Sequence, residues 1–205
     1  PEGEYPAINW ADYSGEDRGL GVLNRGLPGN AVVDGKMLLS VMKCTSFVSY
    51  GNCGGFSADN SSDGGHEINV PHTFHYALAP HKGSWREALL HRQGAEFNHP
   101  LTVCKAASHA GSLPGSHSFV GIDNNQVILS AVMARENGLV IRVYEATGQP
   151  AKHVKLTLDT APLEVSETNM LEEPLAEFEP VIIDGTTVVF NLKPYEVRTF
   201  NIVAE

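Results

Sequence analysis

The chain has 205 residues, 42% of them hydrophobic, which is enough to bury a core and build one large β domain or two small ones. Its 24 acidic against 14 basic residues give a formal charge of −10, which repels phosphate backbones and anionic bilayers, so neither nucleic acid nor a membrane is an expected partner. No apolar run approaches the roughly 20 residues that cross a bilayer, and residues 1–10 have neither the basic start nor the apolar middle of a signal peptide.

In chain order, the first turn signal is LNRGLPG at 23–29. Asp34-Gly35 follows, between AVV and KMLLSVM, a pair suited to the positive φ angles of a tight hairpin. Cys44, Cys53 and Cys104 are an odd number without close-spaced pairing, so reduced thiols in a cytoplasmic setting are expected, one Cys44–Cys53 bridge being the alternative. The run NCGGFSADNSSDGG at 52–65 is rich in residues that bond to their own backbone or tolerate unusual angles, and predicts a mobile loop.

His72, His75 and His81 cluster around a strand and invite a metal reading. Alternation sets His72 on one face and His75 on the other, so packed or hydrogen-bonded histidines are the simpler expectation. Ser84, Trp85, Arg86 and Glu87 match a capping box, predicting a turn or two of helix as far as His91. Cys104 with His109 or His117 makes a thiol–base pair on paper, but no helix start or third orienting group accompanies it, and Cys104 is expected to be a small core residue. GSLPGSHS at 111–118 reads as turn serines, since it lacks the spacing and strand-to-helix context of a nucleophile elbow.

Asn124-Asn125 separates SFVGI from QVILSAVM, and Asp184-Gly185 separates PVII from TTVVF, which with Asp34-Gly35 makes three predicted hairpins. VMAREN at 132–137 reads as a link between blocks, so the boundary is drawn with 1–132 in a large sandwich and 133–205 in a smaller one. Beyond it, Val154, Leu156 and Leu158 point one way while Lys155, Thr157 and Asp159 point the other, the period of a half-buried strand. Strands recur every 8 to 12 residues with Gly and Pro between them, so the expected fold class is all-β: a large, supersandwich-like antiparallel β-sandwich followed by a smaller carboxyl-terminal one. Glu167, Glu172 and Glu173 are possible paired carboxylates for glycoside chemistry, but a charged run in so acidic a chain is expected at a solvated edge. Trp10, Tyr13, Tyr50 and Trp85 could stack on sugar rings; with so few aromatics, core packing is the expectation.

Taken together and in order, WADYSGEDRGLGVLNRGLPG, HTFHYALAPHKGSWREA, FNHPL, SFVGI, VILSAVM, LVIRVYEATGQP, ETNMLEEPL and LKPYEVRTF resemble the carboxyl-terminal β region of family 38 glycoside hydrolases, the retaining α-mannosidases. The style is that of bacterial, archaeal and cytosolic members. The resemblance implies a parent enzyme that hydrolyses terminal α-mannosides. Its nucleophile, acid and zinc ligands sit in an upstream catalytic domain without counterpart here, so this chain is expected to hold no catalytic residue, metal ligand or cofactor of its own. A start at Pro1 rather than Met predicts native sequence further upstream.

Loops of the large β domain border the pocket in that family, so the resemblance implies Asn24, Arg25 and Lys43 as substrate-side contacts. Arg25, Lys43 and Cys44 depart from the common pattern of an aspartate after the LN pair and an arginine near the KC position, and solvated turns are the alternative. The expected role is to brace the upstream catalytic domain, with a mannoside or other glycan as substrate. Strands left without upstream neighbours predict a homo-oligomer. A free-standing carbohydrate-binding sandwich and a metal-binding or purely structural assembly module are the other readings.

Overall fold

A computed structural model describes residues 4–42 and 70–204. The chain divides by its contacts into two compact units, Pro1–Leu101 and Thr102–Glu205. The expected boundary at 132/133 falls inside a continuous strand, because VMAREN is the end of one strand and the turn of a hairpin rather than a linker.

In the first unit, β1 (Glu4–Pro6), β4 (Gly29–Val33) and β5 (Lys36–Leu39) form one antiparallel sheet, in the order β1-β4-β5. A second sheet, β2-β3-β6, is built from β2 (Trp10–Ser14), β3 (Arg18–Arg25) and β6 (His75–Lys82). The β4–β5 turn is the predicted one. Asp34 and Gly35 both carry positive φ (48° and 72°), the requirement of a two-residue hairpin loop whose twist matches its strands.

One face of β2-β3-β6 receives the single described helix, α1 (Leu90–Asn98). Small residues let it approach. The methyls of fully buried Leu90 lie where a Cβ on Gly21 would stand, and Trp10 occupies the same place over Gly94. The predicted capping box is present: the Ser84 amide donates to Glu87 Oε2 (2.8 Å) and the Glu87 amide to Ser84 Oγ (3.4 Å). The chain then makes a turn at 85–89 and continues as helix to Asn98, past His91, because the Trp10 and Leu90 contacts reward further turns that propensity alone would not.

The second unit is a sandwich of two four-stranded antiparallel sheets. One has the order β12-β13-β10-β7, from β7 (Val120–Ile122), β10 (Ala151–Leu158), β12 (Ile182–Asp184) and β13 (Thr187–Leu192). The other has the order β11-β14-β9-β8, from β8 (Val127–Arg135), β9 (Gly138–Glu145), β11 (Glu164–Thr168) and β14 (Val197–Val203). Alternation supplies the core: Val154, Leu156 and Leu158 of β10 turn inward as expected, with Val188, Phe190 and Leu192 from β13. Ile141, Val143, Phe200 and Ile202 belong to the same cluster, and the Phe190 and Phe200 rings meet at 4.9 Å.

The β12–β13 hairpin forms where expected but one residue on: Asp184 is still paired, with Thr187, so Gly185 (φ 56°) and Thr186 make the turn. Asn124-Asn125 does not turn a hairpin. β7 pairs with β10, and β8 with β9 in the other sheet, so these two residues carry the chain from one sheet to the other, and neither has positive φ. Local turn chemistry cannot distinguish a hairpin from a crossover, since both ask only for a change of direction.

Candidate functional site

Asn24 and Arg25 close β3 against the carboxyl end of α1. The Asn24 amide nitrogen of the backbone donates to Asn9 O (3.0 Å), its Nδ2 donates to Ala7 O (2.9 Å), and its carbonyl accepts from Asn98 Nδ2 (2.8 Å). Arg25 donates to Phe97 O and holds its guanidinium 4.7 Å over the Phe97 ring, a cation set at a helix end whose free carbonyls favour positive charge. Both residues thus join a strand to a helix. Asn24 Oδ1 is buried with no hydrogen-bond partner among the described residues. Lys43 lies outside the described residues, as do Cys44, Cys53, Tyr50 and the loop expected at 52–65.

The histidines are dispersed. His81 Nε2 lies 2.9 Å from Asp12 Oδ1, both side chains nearly buried, and Asp12 Oδ2 accepts from Ser14 Oγ at 2.6 Å. The carboxylate stands between the other two, so the serine is not handed to the imidazole as a nucleophile would be to its base. His72 stacks on Phe74, and His75 lies across the ladder from Arg25. Among the described residues no group of three or more His, Cys, Asp or Glu side chains is placed to hold a metal ion.

The hydrogen bond that the imidazole donates to Asp12 raises the His81 pKa above its ordinary 6.5, with burial opposing. A raised folded pKa stabilises fully below the unfolded value and loses that contribution as pH rises through the folded one. Stability of the first unit is therefore expected to fall as pH climbs above about 6.5. Asp12→Asn should flatten that slope in denaturation midpoints measured from pH 5.5 to 8.5, about one pH unit or more to each side of the ordinary histidine value.

Cys104 is exposed rather than a core residue, because it sits in an irregular segment whose residues 101–118 all face solvent. His117 pairs instead with Asp159 (2.9 Å), and His109 with the Ala110 carbonyl. Trp10 and Trp85 pack on each other at 5.1 Å, with Arg86 over Trp85.

The three glutamates do not form an acid–base pair. Glu167 is not at a solvated edge: it is buried in a forked contact with Arg198, whose Nε lies 3.0 Å from Oε1 and whose terminal nitrogen lies 2.6 Å from Oε2. Inward alternation on β11, invisible in a charge count, puts it there. Glu172 is held by Arg135, which keeps its carboxyl below the usual range, and Glu173 accepts from Asn169.

A further buried carboxylate escaped the sequence reading altogether. Glu145, at the end of β9, is 1% exposed and accepts from the backbone amides of Thr147 (2.7 Å), Gly148 (2.7 Å) and Tyr195 (3.1 Å), and from the Thr147 hydroxyl. The Tyr195 ring lies over Gly148, where a Cβ would meet it at 2.4 Å. The segments EATG and KPYE, about 50 residues apart, are thereby one structure. The signal was a glutamate at an inward strand position, but only the fold supplies its donors.

Residues 126–200 match the family described as the glycosyl hydrolases family 38 C-terminal beta sandwich domain. The chain is 25% identical over 201 residues to alpha-mannosidase G of Dictyostelium discoideum, covering 95% of this chain and 17% of that protein. It is 28% identical over 207 residues to mouse alpha-mannosidase 2C1 (97% and 18%) and 30% identical over 176 residues to the human protein of that name (82% and 15%). The crystal structure of an alpha-mannosidase from Enterococcus faecalis V583 has the same fold over 100% of this chain and 22% of its own, with a TM-score of 0.77 at 23% identity. The chain therefore spans less than a fifth of the length of these curated relatives.

Proposed function

We propose, from the premise that this chain carries the C-terminal β region of a family 38 glycosyl hydrolase, that it is the non-catalytic part of an α-mannosidase. It would brace a catalytic domain in the preceding polypeptide. The observation that carries this reading is the alignment of nearly the whole chain with under a fifth of each α-mannosidase. The described carboxylates add support, since those singled out here are engaged by arginine, asparagine, histidine or backbone donors.

In this reading zinc, the retaining chemistry and the mannoside pocket belong to the rest of the α-mannosidase, with no step routed through this chain. A bracing surface is available in the first unit. An apolar groove of about 390 Å³ lies between its two sheets, lined by Leu20, Val22, Met37, Leu39, Tyr76 and Leu78, with Leu78 61% exposed. In the isolated chain the same surface and the open sheet edges would favour self-association. No described helix is long and apolar enough to cross a membrane; the cytoplasmic setting rests on the cysteine usage.

The purified chain is expected to release no mannose from an aryl α-mannoside, while the product of the longest reading frame containing it hydrolyses that substrate and loses activity with a chelator. Hydrolysis by the 205-residue chain alone would overturn the reading. The alternative, a free-standing carbohydrate-binding sandwich, would be favoured by glycan binding with a Kd of about 1 μM or below together with an inactive longest product.

A further inference from the structure

The outer face of the β11-β14-β9-β8 sheet carries a cleft of about 420 Å³, within the range of small-molecule sites. Val140 and Val203 give it apolar surface, while Ser166, Asn201 and Asn137 line it with a hydroxyl and two primary amides. None of those three side chains has a hydrogen-bond partner among the described residues. Thr168 lines the same cleft, and its Oγ1 is buried and likewise unpartnered. Unpaired polar groups gathered around an apolar patch are what a site for an oriented, uncharged ligand requires.

The wall is cross-linked. Arg135 on β8 forks onto Glu172 and Arg142 on β9 donates to Met170 O (3.0 Å), tying loop 169–175 to the sheet at two points, while Asn169 Oδ1 accepts from the Leu171 and Glu173 amides within the loop. A preformed wall lowers the ordering cost of binding. Charge selects the class of ligand: Arg135 is neutralised by Glu172, and Glu136 offsets Arg142, so the cleft and its wall carry no excess charge to draw an ion of either sign. Amides and hydroxyls that both donate and accept match the vicinal hydroxyls of a sugar ring, whose C–H face suits the two valines.

We propose that this cleft binds one neutral sugar residue or comparable polyol. The inference is independent of the reading above, because a bracing domain works with the cleft empty or filled. The test is titration of the full chain with methyl α-mannoside, glucose and glycerol, following the side-chain amide NMR signals of Asn137 and Asn201, with sodium sulfate as the anionic control.

Saturable shifts with at least one of the three neutral probes, at a Kd of about 1 mM, are expected. Asn201→Ala and Ser166→Ala should each weaken binding about tenfold, a loss of about 1.4 kcal/mol, with core methyl signals unchanged. If Asn201→Ala does not fold, Ser166→Ala followed through Asn137 decides alone. No saturable shift with any neutral probe, unaltered affinity in the folded variants, or tighter binding of sulfate would overturn the proposal.

Discussion

Arg198→Ala is expected to destabilise the second unit by about 3–5 kcal/mol, the usual cost of removing one partner from a buried ion pair. Arg198 enters from β14 and stays inside the sandwich. Besides Glu167 on β11, it donates to Asn191 O (3.0 Å) on β13 of the opposite sheet and to Glu179 O (2.7 Å), and its guanidinium lies 5.0 Å from the Phe200 ring. The substitution therefore leaves a buried carboxylate and two carbonyls without donors, and opens space beside the core phenylalanine.

Arg198→Lys should recover only part of the loss, because an ammonium cannot present the planar fork that meets both carboxylate oxygens and two carbonyls together. The double variant Arg198→Met with Glu167→Leu should be closer to the native protein than Arg198→Ala, since an apolar pair removes the desolvation cost along with the attraction. Denaturant titration with hydrogen exchange on β9 and β14 amides, combined as a double-mutant cycle, measures the coupling. A loss below about 1 kcal/mol for Arg198→Ala would show the pair to be no stronger than a surface contact.

Glu145 carries the second large effect. Replacing it by Gln is expected to cost about 2 kcal/mol or more, because an amide NH₂ would face backbone N–H groups that now share a carboxylate. Glu145→Ala should cost more, leaving the Thr147, Gly148 and Tyr195 amides without their acceptor. Burial pushes the Glu145 pKa up, but hydrogen bonds from the Thr147 hydroxyl and the Tyr195, Thr147 and Gly148 amides together hold it below the ordinary 4.5.

A depressed folded pKa gives stability that is present above the unfolded value and disappears as pH falls through the folded one. The native chain should accordingly lose stability progressively below about pH 4.5, while Glu145→Gln lacks this component, so the two stability curves approach each other in acid. Urea midpoints of the two proteins between pH 3 and 7, about 1.5 to 2.5 units to either side of that value, would show it. Parallel curves over that range would mean that the carboxylate is not what the turns depend on.

Much of this molecule was legible from residue order because its elements obey short periods. Alternation placed Val154, Leu156 and Leu158 in the core, Asp34-Gly35 turned its hairpin, Gly185 turned another one residue later than the pair suggested, and Ser84 with Glu87 capped a turn. Each depends on interactions within a few residues, or on a two-residue repeat that one buried face enforces. The ordered string of segments was likewise sufficient to suggest the family, since it spans both units.

What depended on contacts distant in the chain was settled only by the tertiary structure. Asn124-Asn125 has hairpin chemistry but joins two sheets, since β7 finds its partner in β10 more than 30 residues on. The unit boundary moved from 132/133 to 101/102 because strand pairing, not the look of VMAREN, decides where a sheet begins. Cys104 proved exposed and Glu167 buried, the reverse of what their side-chain types suggest, because exposure is a property of what packs on a residue. The sequence by itself thus determined an all-β chain, its local turns and its family likeness; tertiary structure decided which charges are buried, which strands pair, and where unpaired polar groups gather into a cleft. The physical division follows range: periodicity and turn preference act over a few bonds, whereas burial and pairing require segments that meet only once the chain has folded.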